Sequence, residues 1–158
     1  MGLERLWAGW RSEYVGSAGA EVPGECVLCR VVEDGSQVVW RDERSAAVLN
    51  AFPYTSGHLM VLPVAHVAEP HEVDGAALWR VVTDAVAALR RAYNPDGLNI
   101  GVNLGRPAGA GVPGHFHLHV LPRWNGDTNF MTTVAEARVL PEALPTTAEK
   151  VRAAWPSS

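Results

Sequence analysis

Residues 115–119 read His-Phe-His-Leu-His, so an imidazole recurs at every second position. On an extended strand, side chains two apart are separated by ~6.6 Å along the chain and point to the same face, which places His115, His117 and His119 in one row. Neutral imidazole is nucleophilic near pH 7, and its protonated form donates hydrogen bonds, so such a row suits covalent transfer, proton donation or metal ligation. Solvent-exposed histidines on an edge strand, or a purely metal-binding H-x-H pair, would give the same local pattern. The second reactive group is Cys26-Val-Leu-Cys29. Two thiolates at that spacing can reach one tetrahedral ion from a tight turn, but two further ligands are then needed. Inert thiols and a redox pair are the other readings, and the redox motif expects a βαβ setting that the flanking sequence lacks.

The elements that must position these groups follow from periodicity. Gln37 to Arg41, Ala46 to Asn50 and His58 to Pro63 are short extended runs separated by Asp, Ser, Gly and Pro, which predicts an antiparallel meander. Leu78, Val81, Val82, Ala85, Val86 and Leu89 keep a helical period from the N-cap Asp74 to the stop at Asn94-Pro95. Leu98, Ile100, Val102 and Leu104 then alternate with Asn99, Gly101 and Asn103, a strand expected to be buried on one face. A glycine-rich loop, Gly105 to Gly114, leads into the histidine strand, expected over 115–121. At the termini, Leu3, Leu6, Trp7, Trp10 and Tyr14 predict an amphipathic helix, Gly16 to Glu25 a linker, and the capping-box pattern Thr146-x-x-Glu149 a short helix from Thr147 to Trp155.

Composition narrows the function classes. At 158 residues the chain fits one domain, and 47% hydrophobic with 19% charged residues supports a sizeable core. The net charge of −4 opposes a duplex nucleic-acid partner. Leu59 to Ala65, the longest strongly apolar stretch, is far short of the ~20 residues a spanning helix needs, and no signal-peptide core is present, so no membrane association and a cytoplasmic location are expected. Two cysteines make no disulfide framework.

The residues His115-Phe116-His117-Leu118-His119-Val120-Leu121 match the motif His-φ-His-φ-His-φ-φ, and Asn50, Pro53, Gly57, His58, Val61 and Pro63 match Asn-x-x-Pro-x-x-x-Gly-His-x-x-Val-x-Pro. On these motifs the sequence resembles the histidine triad family. Its flanks, Leu6-Trp7-x-x-Trp10-Arg11-x-x-Tyr14 and Pro122-Arg-Trp-Asn-Gly-Asp-Thr-Asn-Phe130, are similar to a bacterial branch related to diadenosine tetraphosphate phosphorylases. The resemblance implies an α+β fold with an antiparallel sheet of about five strands, one long helix and short terminal helices. It divides the chain into an N-terminal helix and linker (1–25), the family domain (26–125) and an extension packing on that domain (126–158).

The resemblance also implies an activity: hydrolysis or phosphorolysis of dinucleoside polyphosphates or nucleotide conjugates through a nucleotidyl-histidine. By position His117 corresponds to the nucleophile and His119 to a phosphate ligand and proton donor. Asn50 and Asn103 correspond to nucleotide contacts, backbone N–H groups of Gly105, Gly109 and Gly111 are suited to an anion, and Trp124 is a candidate for base stacking. Gly111 stands where many relatives carry Gln or Ser. The branch with Gln at the position of His119 transfers uridylyl groups, which disfavours that activity here. His66 and His115 are the implied partners of Cys26 and Cys29 around a structural Zn²⁺, with no catalytic metal expected and no Walker A pattern to recruit Mg²⁺. A homodimer is implied as well. A catalytically silent nucleotide-binding or sensor module, and a metal-dependent hydrolase using the histidine row as ligands, are the rival functions. His58 is expected to pack or hydrogen-bond within the Gly57-His58 strand start, and His71 to be a surface residue.

Overall fold

The computed structural model describes residues 26–127 and 142–157. The expected N-terminal helix and linker, and Phe130, lie outside the described residues. Five strands, β1 (Val38–Arg41), β2 (Ser45–Leu49), β3 (Leu59–Pro63), β4 (Gly97–Val102) and β5 (Leu118–Arg123), form one antiparallel sheet in the order β1-β2-β3-β5-β4. Among the described residues, three α-helices cover it: α1 (Val27–Asp34), α2 (Gly75–Tyr93) and α3 (Leu144–Ala154). Architecture and class agree with the α+β expectation.

The alternation of side chains in the central strands divides the core in two. Ala47, Leu49, Leu59, Val61 and Val120 meet Leu78, Val81, Val82, Ala85 and Leu89 of α2 and Val151 of α3 on one face. Ala46, Val48, Met60 and Leu62 meet Leu28 and Val32 of α1 on the other. Both faces are therefore covered, which explains why β2 and β3 are buried at every position.

Helix α2 has the limits its sequence implied. Asp74 accepts a hydrogen bond from the Ala77 N–H at 3.1 Å, and Asn94 closes the helix in the left-handed region at φ 44° before Pro95. Helix α3 differs from expectation. It begins at Leu144, with Pro145 in its first turn, and Ala143 rather than Thr146 holds the cap position. The Thr147 hydroxyl instead donates to the Glu142 carboxylate at 2.8 Å. Helix α1 was not anticipated, although Leu28 and Val32 lie one turn apart and Gly35 (φ 70°) supplies the left-handed stop.

Two strands also depart from their reading. β5 joins the sheet only at Leu118, after an extended segment in which the Phe116 N–H bonds to Val67 O at 2.7 Å. The alternation still holds, because Phe116, Leu118 and Val120 pack toward α2 while the histidines face away. β4 is an edge strand, so the apolar face expected to be buried is mostly open: Ile100, Val102 and Leu104 are exposed. No described helix is long and apolar enough to cross a membrane.

Candidate active site and metal centre

The three histidines share a face but not a task. His115 is 1% exposed; its Nε2–H donates to the Pro63 carbonyl at 2.9 Å, which leaves the Nδ1 lone pair facing Cys26 Sγ at 3.3 Å and Cys29 Sγ at 3.5 Å. His66 Nδ1 lies 3.3 Å from Cys29 Sγ. Ligand atoms of Cys26, Cys29, His66 and His115 all fall within 4.8 Å of one another. Zn–S bonds of ~2.3 Å and Zn–N bonds of ~2.0–2.1 Å would give tetrahedral S···N edges near ~3.5 Å, so two thiols and two imidazoles at these separations fit one tetrahedral ion. These four residues could hold a metal. Cys26 sits at the N-cap of α1 and Cys29 in its first turn, so the thiols come from a helix start rather than a tight turn.

His117 is turned the other way. Its Nδ1–H donates to the His115 carbonyl at 2.7 Å, a bond that only this tautomer can make, and its Nε2 lone pair is left for the cleft. Burial lowers its pKa, against the opposing effect of that carbonyl, and keeps the ring in the neutral form an attacking nitrogen requires.

The tautomer of His119 is set by two residues outside the triad. The Tyr54 backbone N–H donates to His58 Nδ1 at 3.1 Å. Neutral His58 must then carry its proton on Nε2, which lies 2.9 Å from His119 Nδ1 and donates to it. His119 in turn keeps its proton on Nε2. Burial, reinforced by the neighbouring His117, pushes the His119 pKa down to about 4, so near neutral pH it is a neutral hydrogen-bond donor rather than a stored acid. The sequence offered packing or a hydrogen bond at the strand start for His58 and no site role; the missed element is its partner, His119, with the Gly57-His58 motif as the one signal for it. Gly57 lets this segment approach: at φ 84°, an added Cβ would meet the Tyr93 ring at 2.9 Å and Leu89 at 3.1 Å.

A cavity of about 480 Å³ opens beside His117 and His119. Val27, Leu28, Val31, Phe52 and Met60 make its walls apolar, and Asn50, Gly109 and Gly111 border it. Phe52, which lines it, is 69% exposed. Asn50 turns its amide Nδ2 to the His58 ring at 3.4 Å and accepts from the Phe52 N–H at 2.9 Å. Asn103 does not line the cavity; its Nδ2 donates to Gly109 O at 3.4 Å and braces the glycine loop. Gly105 starts that loop away from the cavity lining, accepting from the N–H groups of Ala108 and Ala110 at 3.2 Å, and the Gly109 N–H donates to Arg106 O at 2.9 Å; of the three glycines expected to offer an N–H to an anion, Gly111 is the one that borders the cavity without that internal bond. Trp124 lines a different cavity, beyond Tyr54. Arg123 pairs with Asp127 and bonds Asn99 at 2.9 Å, fixing the turn after β5, and His71 is exposed on a short 3-10 turn over Pro70–Glu72.

The comparisons with known proteins agree with this geometry. The family profile described as HIT domain matches residues 31–126. A Mycobacterium tuberculosis protein named AP-4-A phosphorylase is 33% identical over 97% of this chain and 85% of its own length. Among solved structures, a hypothetical histidine triad nucleotide-binding protein from Sulfolobus tokodaii superposes with a TM-score of 0.68 at 29% identity, covering 82% of this chain and 91% of the other. A Zn-bound histidine triad family protein from Mycobacterium smegmatis gives 0.66 at 30% identity, covering 82% and 92%. With its intact row of histidines on one sheet face and a profile match over most of its length, this chain belongs to the HIT, or histidine triad, family.

Proposed function

We propose that the protein cleaves dinucleoside polyphosphates, diadenosine tetraphosphate among them, or related nucleotide conjugates at an α-phosphate through a nucleotidyl-His117 intermediate. The observation that carries this reading is the His117 tautomer: with Nδ1–H held by the His115 carbonyl, the Nε2 lone pair faces a cavity large enough for a nucleoside. His117 Nε2 forms a bond to phosphorus, the bond to the bridging oxygen breaks, and its electron pair leaves with the remaining phosphates. His119 Nε2–H donates to that oxygen as charge develops there, and the backbone N–H groups of Gly111 and Val112, on the part of the glycine loop that lines the cavity, serve the non-bridging oxygens. An oxygen of orthophosphate or water then attacks phosphorus and releases His117. The apolar walls take the base, and Asn50, at the cavity edge, serves the ribose.

The name of the M. tuberculosis relative supports this substrate class, and the Zn-bound M. smegmatis relative supports zinc as the ion of the four-ligand centre. With two thiolates and two imidazoles filling a tetrahedron, zinc is structural, tying α1 to the segment that carries His117; no reaction step is assigned to it. The exposed Ile100 and Val102 on edge strand β4 favour a homodimer joined along that edge, which sedimentation of the wild type and Ile100→Asp tests. A soluble cytoplasmic enzyme accords with this chemistry.

The test is product analysis by anion-exchange chromatography after incubation with diadenosine tetraphosphate, with and without orthophosphate. ADP plus ATP formed only with phosphate marks a phosphorylase, and ATP plus AMP marks a hydrolase. Absence of turnover on this substrate and on nucleoside phosphoramidates would overturn the proposal.

A further inference from the structure

On the far side of Tyr54 lies a second cavity of about 560 Å³, bordered by Tyr93, Trp124, Asn125, Asp127, Glu142 and Lys150. It contains none of the triad residues, and its volume is again that of a small-molecule site. Tyr54 forms a wall of both cavities, and its ring lies 4.7 Å from the His58 ring and 6.3 Å from the His119 ring, centroid to centroid. The Thr55 hydroxyl donates to Pro122 O at 3.0 Å and pins this partition to β5. The second cavity thus adjoins the histidine that serves the leaving oxygen.

Its lining selects what can enter. Trp124 and Tyr93 meet at 6.2 Å with their ring planes 78° apart, and both line the space and are only partly buried. Such rings are stacking platforms for a nucleobase. Two carboxylates border the same space. Asp127 is held by Arg123, and Glu142 accepts from the Tyr93 hydroxyl at 2.6 Å, from Thr147 and from Lys150. With the one lining cation among the described residues, Lys150, already paired, the described lining offers a polyphosphate little and a neutral nucleoside much.

We propose that this second cavity receives the nucleoside end of the departing half of a two-ended substrate, with its base stacked on Trp124. The inference rests on the proposed substrate class and adds where its second end binds. Trp124 lies five residues beyond His119, at most about 16 Å at ~3.3 Å per residue, a span the intervening phosphates can bridge. The first base occupies the apolar cavity by α1, the reacting phosphorus sits at His117, and the second base sits past Tyr54. A substrate with two nucleosides is then held at both ends, whereas one ending in phosphate is held at one.

Calorimetric titration of full-length His117→Ala protein with diadenosine tetraphosphate and with adenosine 5′-tetraphosphate tests this, since the second ligand has the same number of phosphates and lacks the second nucleoside. The two-ended ligand should bind on the order of tenfold tighter, Trp124→Ala in the same background should abolish the difference, and Trp124→Phe should restore most of it. Equal binding of the two ligands when Trp124 is present overturns the proposal, as does a preference that survives Trp124→Ala. Turnover by the wild-type protein is read separately, so a failed catalytic reading and a failed second site give different results: the first leaves the preference for the two-ended ligand intact, the second leaves turnover intact.

Discussion

The two ends of the histidine row carry the same side chain and differ in what holds the second ring nitrogen. At one end His115 spends Nε2 on the Pro63 carbonyl and turns Nδ1 to two thiols, so neither nitrogen meets the cleft. At the other, His117 spends Nδ1 on a carbonyl, and His119 accepts at Nδ1 from His58, so both present Nε2 to the cavity. Imidazole chemistry is thus assigned by the hydrogen-bond partner behind the ring.

The sharpest way to break the comparison is at the reacting end. His117→Ala should lower turnover by more than about 10³-fold while nucleotide binding persists, as read by quenched-flow kinetics and titration; a variant with near-wild-type turnover would refute a covalent His117 intermediate. Cys29→Ser should act at the other end, losing bound metal by mass spectrometry of inorganic ions and lowering Tm by roughly 5–10 °C, with turnover reduced far less than by His117→Ala. If Cys29→Ser matches His117→Ala in turnover while staying folded, the division of labour along the row is wrong.

His58→Ala removes the donor that fixes the His119 tautomer without touching the cavity chemistry directly. A loss of about 10- to 100-fold in kcat is expected, larger for substrates with poorer leaving groups, and a loss confined to KM would argue for mere packing.

The His119 pKa supplies a pH test. Its folded value of about 4 lies below the ordinary 6.5, so the unfolded chain binds more protons between these values. The stability that neutral His119 contributes is complete above about pH 6.5 and is lost as pH falls toward 4, on the order of 2 kcal/mol after solvent screening. The wild type should therefore show a steeper fall in Tm over that window than His119→Gln. The smallest effect is expected for Asn103→Ala, which frees Gly109 and should raise KM a few-fold with little change in kcat, measured by initial rates.

Much of this was legible in one dimension. The i, i+2 spacing set the histidine row, and the 3.6-residue period and its Asp74 and Asn94 limits set α2. These features depend on local backbone geometry, which neighbouring residues dictate. Other features depend on contacts between residues far apart in the chain. Whether β4 is covered was decided by its edge position and by where α2 passes, so its apolar alternation misled. The partition at Tyr54, and the separation of Trp124 from the triad cavity, arise where the β2–β3 connection meets the end of β5.

What the sequence by itself determined is the inventory and its local order: three imidazoles on one face, two thiols three residues apart, and a glycine loop before the row. What only the tertiary structure decided is the set of partners at the two outer histidines, His115 and His119, whereas the carbonyl that holds His117 lies two residues away in the chain. The Pro63 carbonyl, the Cys26 and Cys29 thiols and the His58 ring reach their histidines across separations of 52, 89, 86 and 61 residues. Hydrogen bonds act over about 3 Å, and only folding brings such distant groups within that range.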